Sequence, residues 1–96
     1  MDMTTIRLSD CVPFADNPFR VQHDTAMEML TESIKESGIL IPIAVRPMGE
    51  KYEILSGHRR VYAAHKVGLE AVPAIVRELT REEAVIFMVD ANLQRE

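Results

Sequence analysis

Segments of helical and of strand-like periodicity alternate along this chain, and that alternation most constrains its fold. The spacing of Thr25 and Glu28 predicts a capping box that opens a helix. This helix runs over about 25–37 and is ended by Gly38. Because 96 residues supply one hydrophobic core, the alternation favours a single domain in which helices pack on a sheet.

Two further helices and about four strands follow from the same patterns. A helical run over 58–67 ends at Gly68, and a capping box at Thr80 and Glu83 opens a third helix. The predicted strands are 5–8, 39–46, 51–56 and 72–77, with the two middle strands joined by a turn at 47–50. The pattern over residues 10–23 predicts a loop with room for a helical turn. We therefore expect an α+β fold, a mixed sheet of about four strands with three main helices.

Apolar residues at helical spacing predict the buried face of each helix. The inward candidates are Met27, Leu30 and Ile34 in the first helix, Val61, Ala64 and His65 in the second, and Ala84, Phe87, Met88 and Ala91 in the third. We also expect the core to be filled by Met27, Met29, Met48 and Met88.

Charge and cysteine content exclude several classes of protein. Fifteen acidic and 11 basic residues give a net charge of -4, the wrong sign for coating DNA nonspecifically, so any nucleotide contact needs a local basic cluster. The single cysteine, Cys11, is expected to be structural and at least half-buried rather than nucleophilic. With no signal-like segment and no apolar run near the ~20 residues that span a bilayer, we expect a cytoplasmic protein.

The strongest candidate site is the junction Ser56-Gly57-His58-Arg59-Arg60. A predicted strand ends here at a glycine, and the next helix begins with basic side chains. Free N–H groups at a helix start favour an anion, and forked guanidinium donors match phosphate oxygens. Cations oppose the helix dipole at this end, so their placement favours a bound phosphate. The alternative is that Arg59 and Arg60 pair with acids such as Glu53 or Glu70.

Two weaker candidates lie nearer the ends of the chain. Asn92 and Arg95 are three residues apart, so they project from one helical face, towards either a shared ligand or solvent. Asn17 and Pro18 shape a turn that leaves Arg20 able to contact a phosphate or an acidic partner. The three histidines are too scattered to predict a metal site.

Four short motifs, in the right order, resemble the N-terminal domain of the ParB family of partition proteins, which has the ParB/sulfiredoxin-like fold. They are Asn17-Pro18-Phe19-Arg20, residues 33–43, Gly57-His58-Arg59-Arg60 with Ala63-Ala64, and Asn92-Leu93-Gln94-Arg95-Glu96. The resemblance spans nearly the whole chain. Its Gly-His-Arg-Arg form looks like that of the members on mobile elements and plasmids.

The resemblance implies a nucleotide-binding, self-associating domain of a chromosome or plasmid partition protein or DNA-binding regulator. CTP and Mg²⁺ would bind at the Gly-His-Arg-Arg helix start, with Asn92 as a Mg²⁺ ligand. The implied nucleotide- or phosphate-binding residues are Arg20, Ser56, Gly57, His58, Arg59, Arg60, Asn92 and Arg95. A homodimer, a partition ATPase and DNA are the implied partners. Residues 1–96 would be the N-terminal domain of a longer chain, with a helix-turn-helix domain after residue 96.

Three positions depart from the motifs of the family, since His58 replaces Glu, Ile41 replaces Gln, and Ala91 replaces Glu. The lost carboxylates are candidate metal ligands, so we expect a binding module with at most weak CTP hydrolysis. Two alternatives stay open: a nucleotide-dependent kinase of free serine, and an interaction domain with a decayed nucleotide site. Sulfiredoxin chemistry is not expected, because Ser56 stands in place of its nucleophilic cysteine.

Overall fold

Five strands and three helices make up the described part of the chain. The structure is a computed structural model that describes residues 3–14, 24–39 and 41–93, with the backbone alone for the last three. The strands are β1 (Met3–Arg7), β2 (Cys11–Pro13), β3 (Ile43–Met48), β4 (Lys51–Ser56) and β5 (Ala71–Val76). The helices are α1 (Thr25–Ser37), α2 (His58–Val67) and α3 (Arg81–Leu93), and a 3₁₀ turn (Leu8–Asp10) links β1 to β2.

The strands form one mixed sheet in the order β1-β5-β3-β4-β2. β1 is antiparallel to β5 and β3 to β4, whereas β3 is parallel to β5 and β2 to β4. The predicted α+β fold is confirmed. Within the ranges described, no helix is long and apolar enough to cross a membrane.

The predicted count of about four strands misses β2. This strand lies at the sheet edge, where Cys11 pairs with Tyr52 and Pro13 with Ile54 in the parallel sense. Three residues are too few to display the period-two alternation by which a strand is found in a sequence. Pairing with β4 is what makes this segment a strand.

The hairpin between β3 and β4 is tighter than predicted, and β3 begins later. Met48 pairs with Lys51, so the turn is shorter than the predicted 47–50. β3 starts at Ile43 rather than residue 39. The guanidinium group of Arg60 binds the two carbonyl oxygens that precede this strand, which takes them away from the sheet.

The sheet is covered on both faces, because adjacent residues of β4 pack on different helices. Ile54 joins the core under α2, whereas Leu55 joins the core under α3. The α2-side core is Ile6, Leu8, Ile43, Val45, Ile54, Val61, Ala64, Val72 and Ala74, and the α3-side core is Phe14, Leu55, Ala84 and Met88. Met27, Ile34 and Ala63 join α1 to α2.

The core excludes three residues that were inward candidates: Met29, Met48 and His65. Met29 is 68% exposed because it lies two positions after the buried Met27, on the other side of α1. Met48 is 42% exposed at the end of the hairpin. In α2, the inward position beside Ala64 belongs to Ala63, which leaves His65 exposed.

The two predicted capping boxes have different outcomes. α1 is capped by Asp24 rather than Thr25, since Oδ1 of Asp24 accepts the N–H of Met27 at 2.9 Å. The capping box of α3 is confirmed. The N–H of Thr80 donates to Oε1 of Glu83 at 2.9 Å, and the N–H of Glu83 donates to Oγ1 of Thr80 at 3.1 Å.

Candidate functional site

The junction from β4 into α2 has a backbone geometry that suits an anion. Ser56 is the last residue of β4 and Gly57 is the N-cap of α2, with φ 98° and ψ 24°. The carbonyl of Gly57 accepts the N–H of Val61 at 2.9 Å, and no side chain caps the helix. The first N–H groups of a helix have no hydrogen-bond acceptor within that helix. The N-terminal end of α2 therefore carries a partial positive charge.

Gly57 is required here for two reasons. Its φ lies in the left-handed region that favours glycine. A Cβ atom at this position would also lie 2.6 Å from Cγ2 of Ile43, at the start of β3. The turn therefore packs its backbone directly on Ile43 at the start of β3, which leaves no room for a side chain at position 57.

Arg60 holds the segment before β3 against the first turn of α2. Its Nη1 donates to the carbonyl oxygen of Ile41 at 2.9 Å and to that of Pro42 at 3.0 Å. The sequence predicted an acidic side chain or a phosphate as the partner of Arg60, and it did not predict these two carbonyl oxygens. Both bonds use one of the three nitrogen atoms of the guanidinium group.

Arg59 is linked to α1 instead. Its Nη2 lies 3.5 Å from Oδ1 of Asp24, the N-cap of that helix. Arg59 therefore does pair with an acid, as the alternative to a phosphate contact predicted, but the acid is Asp24 rather than Glu53 or Glu70. Nε of Arg59 is buried and has no hydrogen-bond partner among the residues that the structure describes.

The first turn of α2 holds His58, Arg59 and Arg60 and contains no acidic residue. Ser56 and all three of these side chains are half-buried, so part of each side chain reaches solvent. This arrangement is a small electropositive surface with backbone and guanidinium donors, which can bind phosphate oxygens.

The other predicted site residues lie wholly or partly outside the described atoms. Asn92 lies in the last turn of α3, and its side chain is outside the described atoms. Arg20 and Arg95 lie outside the described residues, as does His23. Across the ranges described, no group of three or more histidine, cysteine, aspartate or glutamate side chains is arranged to hold a metal ion.

A buried ion pair on the α3 side of the sheet was not predicted. Nε of Arg46 lies 2.6 Å from Oε1 of Glu53, whose residue is 2% exposed, and the two residues face each other across β3 and β4. Nη1 of Arg46 also donates to the carbonyl of Leu79 at 3.2 Å, just before α3. The pair thus fixes the entry of α3 to the sheet that carries the junction. The polar alternation of the two strands was its only signal in the sequence.

Cys11 is half-buried, as predicted, and its thiol lies 3.5 Å from the carbonyl oxygen of Arg7. Burial raises the pKa of the thiol above its ordinary value of 9.0, and the neighbouring carboxylate of Asp10 raises it further. A protonated thiol is a poor nucleophile, which agrees with a structural role.

The sequence matches the family model of the ParB N-terminal domain over residues 1–93. The chain belongs to this family. Among curated relatives, it is 44% identical over 79 residues to a probable chromosome-partitioning protein ParB from Coxiella burnetii. That alignment covers 82% of this chain and 27% of the relative, so the chain spans about a quarter of the length of that ParB protein.

Solved structures agree with this assignment. A C-terminally truncated chromosome-partitioning ParB from Caulobacter crescentus, complexed with CTP-gamma-S, matches with a TM-score of 0.89 and 33% identity. The match covers 100% of this chain and 55% of that one. Sulfiredoxin from Arabidopsis thaliana matches with a TM-score of 0.73 and 23% identity, over 92% of this chain and 98% of that one, and shares the fold. The predicted ParB/sulfiredoxin-like fold is confirmed.

Proposed function

We propose that this ParB N-terminal domain binds CTP with Mg²⁺ at the start of α2 and that binding alters its self-association. The observation that carries the proposal is the glycine junction with a basic first turn, in a chain that is similar over all of its own length to part of a ParB complexed with CTP-gamma-S. The nucleotide-binding residues are Ser56, Gly57, His58, Arg59 and Arg60, joined by Arg20, Asn92 and Arg95 from segments nearer the ends of the chain.

The physical support comes from the donors at the junction. Main-chain N–H groups of the first turn and the guanidinium of Arg59 offer charge-assisted hydrogen bonds to a triphosphate. Mg²⁺ would arrive on the phosphates, and the amide oxygen of Asn92 is the proposed protein ligand. Because His58 and Ala91 stand where the family motifs have carboxylates, we propose a binding module with at most weak CTP hydrolysis.

The wider role follows from membership of the ParB family. We propose that the domain works within a longer, homodimeric partition protein in the cytoplasm, associated with the nucleoid or a plasmid. A helix-turn-helix domain after residue 96 would bind DNA, and a partition ATPase would be a further partner. The net charge of -4 on these 96 residues supports placing DNA binding elsewhere in the protein.

Isothermal titration with CTP, ATP, GTP and UTP in Mg²⁺ tests the proposal. We expect CTP to bind selectively, and Arg59→Ala to weaken that binding. Arg7→Ala is the matched control. Arg7 is also an exposed arginine, but it lies near the C-terminal end of α2, away from the junction. Equal loss in both variants would indicate a general charge effect rather than this site.

The same titrations separate the two alternative functions. Selective binding of ATP, followed by formation of phosphoserine from free serine, would favour the kinase. If no nucleoside triphosphate binds, the proposal fails. Self-association that is unchanged in Arg59→Ala and Arg60→Ala would then favour an interaction domain with a decayed site.

A further inference from the structure

The carboxylate of Asp24 serves two partners in two different helices. Its Oδ1 accepts the N–H of Met27 at 2.9 Å, which caps α1, and lies 3.5 Å from Nη2 of Arg59 in the first turn of α2. The two helices also pack on each other through Met27 and Ala63. Asp24 therefore joins the starting turns of two neighbouring helices by one oxygen atom.

Arg59 is incompletely satisfied in this arrangement. A distance of 3.5 Å exceeds the about 2.7–2.9 Å of a good charge-assisted hydrogen bond. The side chains are 39% and 51% exposed for Arg59 and Asp24, so water screens their attraction. Nε of Arg59 is buried with no acceptor in the described part of the chain, a cost that an added acceptor would remove.

We propose that Asp24 competes with the triphosphate for Arg59, so that nucleotide binding releases the link between α1 and α2. This inference rests on the function proposed above. A phosphate oxygen at the start of α2 gains from the helix dipole as well as from the guanidinium, whereas the exposed carboxylate of Asp24 holds Arg59 only weakly.

Asp24 keeps its shorter bond to the N–H of Met27 when Arg59 leaves, so α1 stays capped. What changes is the connection between the two helices. Coupling of this kind is reciprocal: if occupancy of the site breaks the link, then breaking the link must tighten the site. Asp24 is thus a positioning residue that lowers nucleotide affinity in the resting domain.

The test is Asp24→Asn, because asparagine caps a helix about as well as aspartate and the substitution removes only the charge. We expect Mg-CTP to bind about twofold to fivefold more tightly, the range for loss of a weak exposed ion pair. Glu28→Gln is the matched control, since it neutralises an exposed carboxylate one turn further along α1. It should change the affinity much less.

A double-mutant cycle identifies Arg59 as the residue through which Asp24 acts. In an Arg59→Ala background, Asp24→Asn should leave the affinity for Mg-CTP unchanged. In the parent chain, the ¹⁵N–¹H signal of Arg59 Nε should shift and exchange more slowly with solvent when Mg-CTP is added.

Any of the following results would overturn the proposed competition between Asp24 and the triphosphate. If the parent binds Mg-CTP and Asp24→Asn binds no more tightly, or Glu28→Gln matches it, the competition is overturned while the proposed function stands. An effect of Asp24→Asn that persists without Arg59 also overturns it. If the parent does not bind Mg-CTP, both the proposed function and this inference fail.

Discussion

Gly57 and Ile43 lie so close that a Cβ atom on the glycine would be 2.6 Å from Cγ2 of the isoleucine and 3.0 Å from its Cβ. Ile43 is fully buried in the α2-side core and so has little room to move. The start of β3 and the start of α2 are therefore held at a fixed separation. This contact sets the position of the basic first turn.

Alanine at position 57 should be much more destabilising than alanine at position 68. Gly68 has nearly the same backbone geometry, φ 82° and ψ 28°, but a Cβ there would meet nothing within 4 Å. We expect Gly68→Ala to lower the free energy of unfolding by about 1 kcal/mol and Gly57→Ala by about 2–4 kcal/mol, because overpacking adds to backbone strain. Urea denaturation measures both, and equal losses would contradict the contact with Ile43.

The buried pair of Arg46 and Glu53 should show strong coupling in stability. Arg46→Met leaves the carboxylate of Glu53 buried without its partner, at a cost of about 3–5 kcal/mol. The double variant Arg46→Met/Glu53→Leu should recover much of this loss, because an apolar pair needs no counter-charge. Chemical denaturation of the two single variants and the double variant tests this. Additive losses would show that the two residues do not act as a pair.

The two arginines of the junction should differ in stability. Arg60→Ala removes two hydrogen bonds to carbonyl oxygens, so we expect the free energy of unfolding to fall by about 1.5–3 kcal/mol. Arg59→Ala removes a solvent-screened ion pair and should cost less than about 1 kcal/mol. Thermal unfolding of both variants distinguishes these roles. Equal stability of the two would contradict a stabilising role for the bonds from Arg60 to the segment before β3.

Nucleotide affinity should fall in both of those variants if the proposed function is correct. We expect Arg60→Ala to bind CTP more than about tenfold more weakly, the cost of a charge-assisted phosphate contact plus a displaced neighbouring segment. Isothermal titration in Mg²⁺ measures this. Arg60→Ala that binds CTP normally would exclude Arg60 as a phosphate ligand.

Cys11 should make stability depend on pH in the alkaline range. Burial raises the pKa of its thiol in the folded chain, so that above pH 9.0 the unfolded chain loses this proton first. The folded chain then binds more protons, and its free energy of unfolding falls as the pH rises through the raised pKa. Cys11→Ala should lack this contribution. Unfolding experiments from pH 7 to pH 10 give the difference between the two curves, which should be constant near pH 7 and change as the pH approaches and passes the ordinary pKa of the thiol; a flat difference throughout would contradict the prediction.

The helices were predictable because their signals are local. The bounds of α1 and α2 agree with the sequence, since apolar spacing and the glycines at 38 and 68 act within a few residues. The N-cap of α1 was misplaced by one residue. Asp24 and Thr25 are both good caps, and only backbone geometry decides between them.

The strands were less predictable because their partners are distant in sequence. β2 is a strand because it pairs with β4. β3 begins at the first residue after the two carbonyl groups that Arg60 binds. The local pattern of apolar residues predicts neither the presence of β2 nor the first residue of β3. Both depend on groups that the folded chain brings from elsewhere.

The sequence by itself determined the α+β class, the family and the contiguous junction Ser56–Arg60, because periodicity, turn chemistry and motif order are properties of neighbouring residues. The tertiary structure decided how the junction is used. It brings Asp24 to Arg59, places the carbonyls before β3 on Arg60, and pairs Arg46 with Glu53. The first two contacts join segments that are far apart in the chain, and the third depends on the register of the β3–β4 hairpin, so none of them could be assigned before the folded geometry was known.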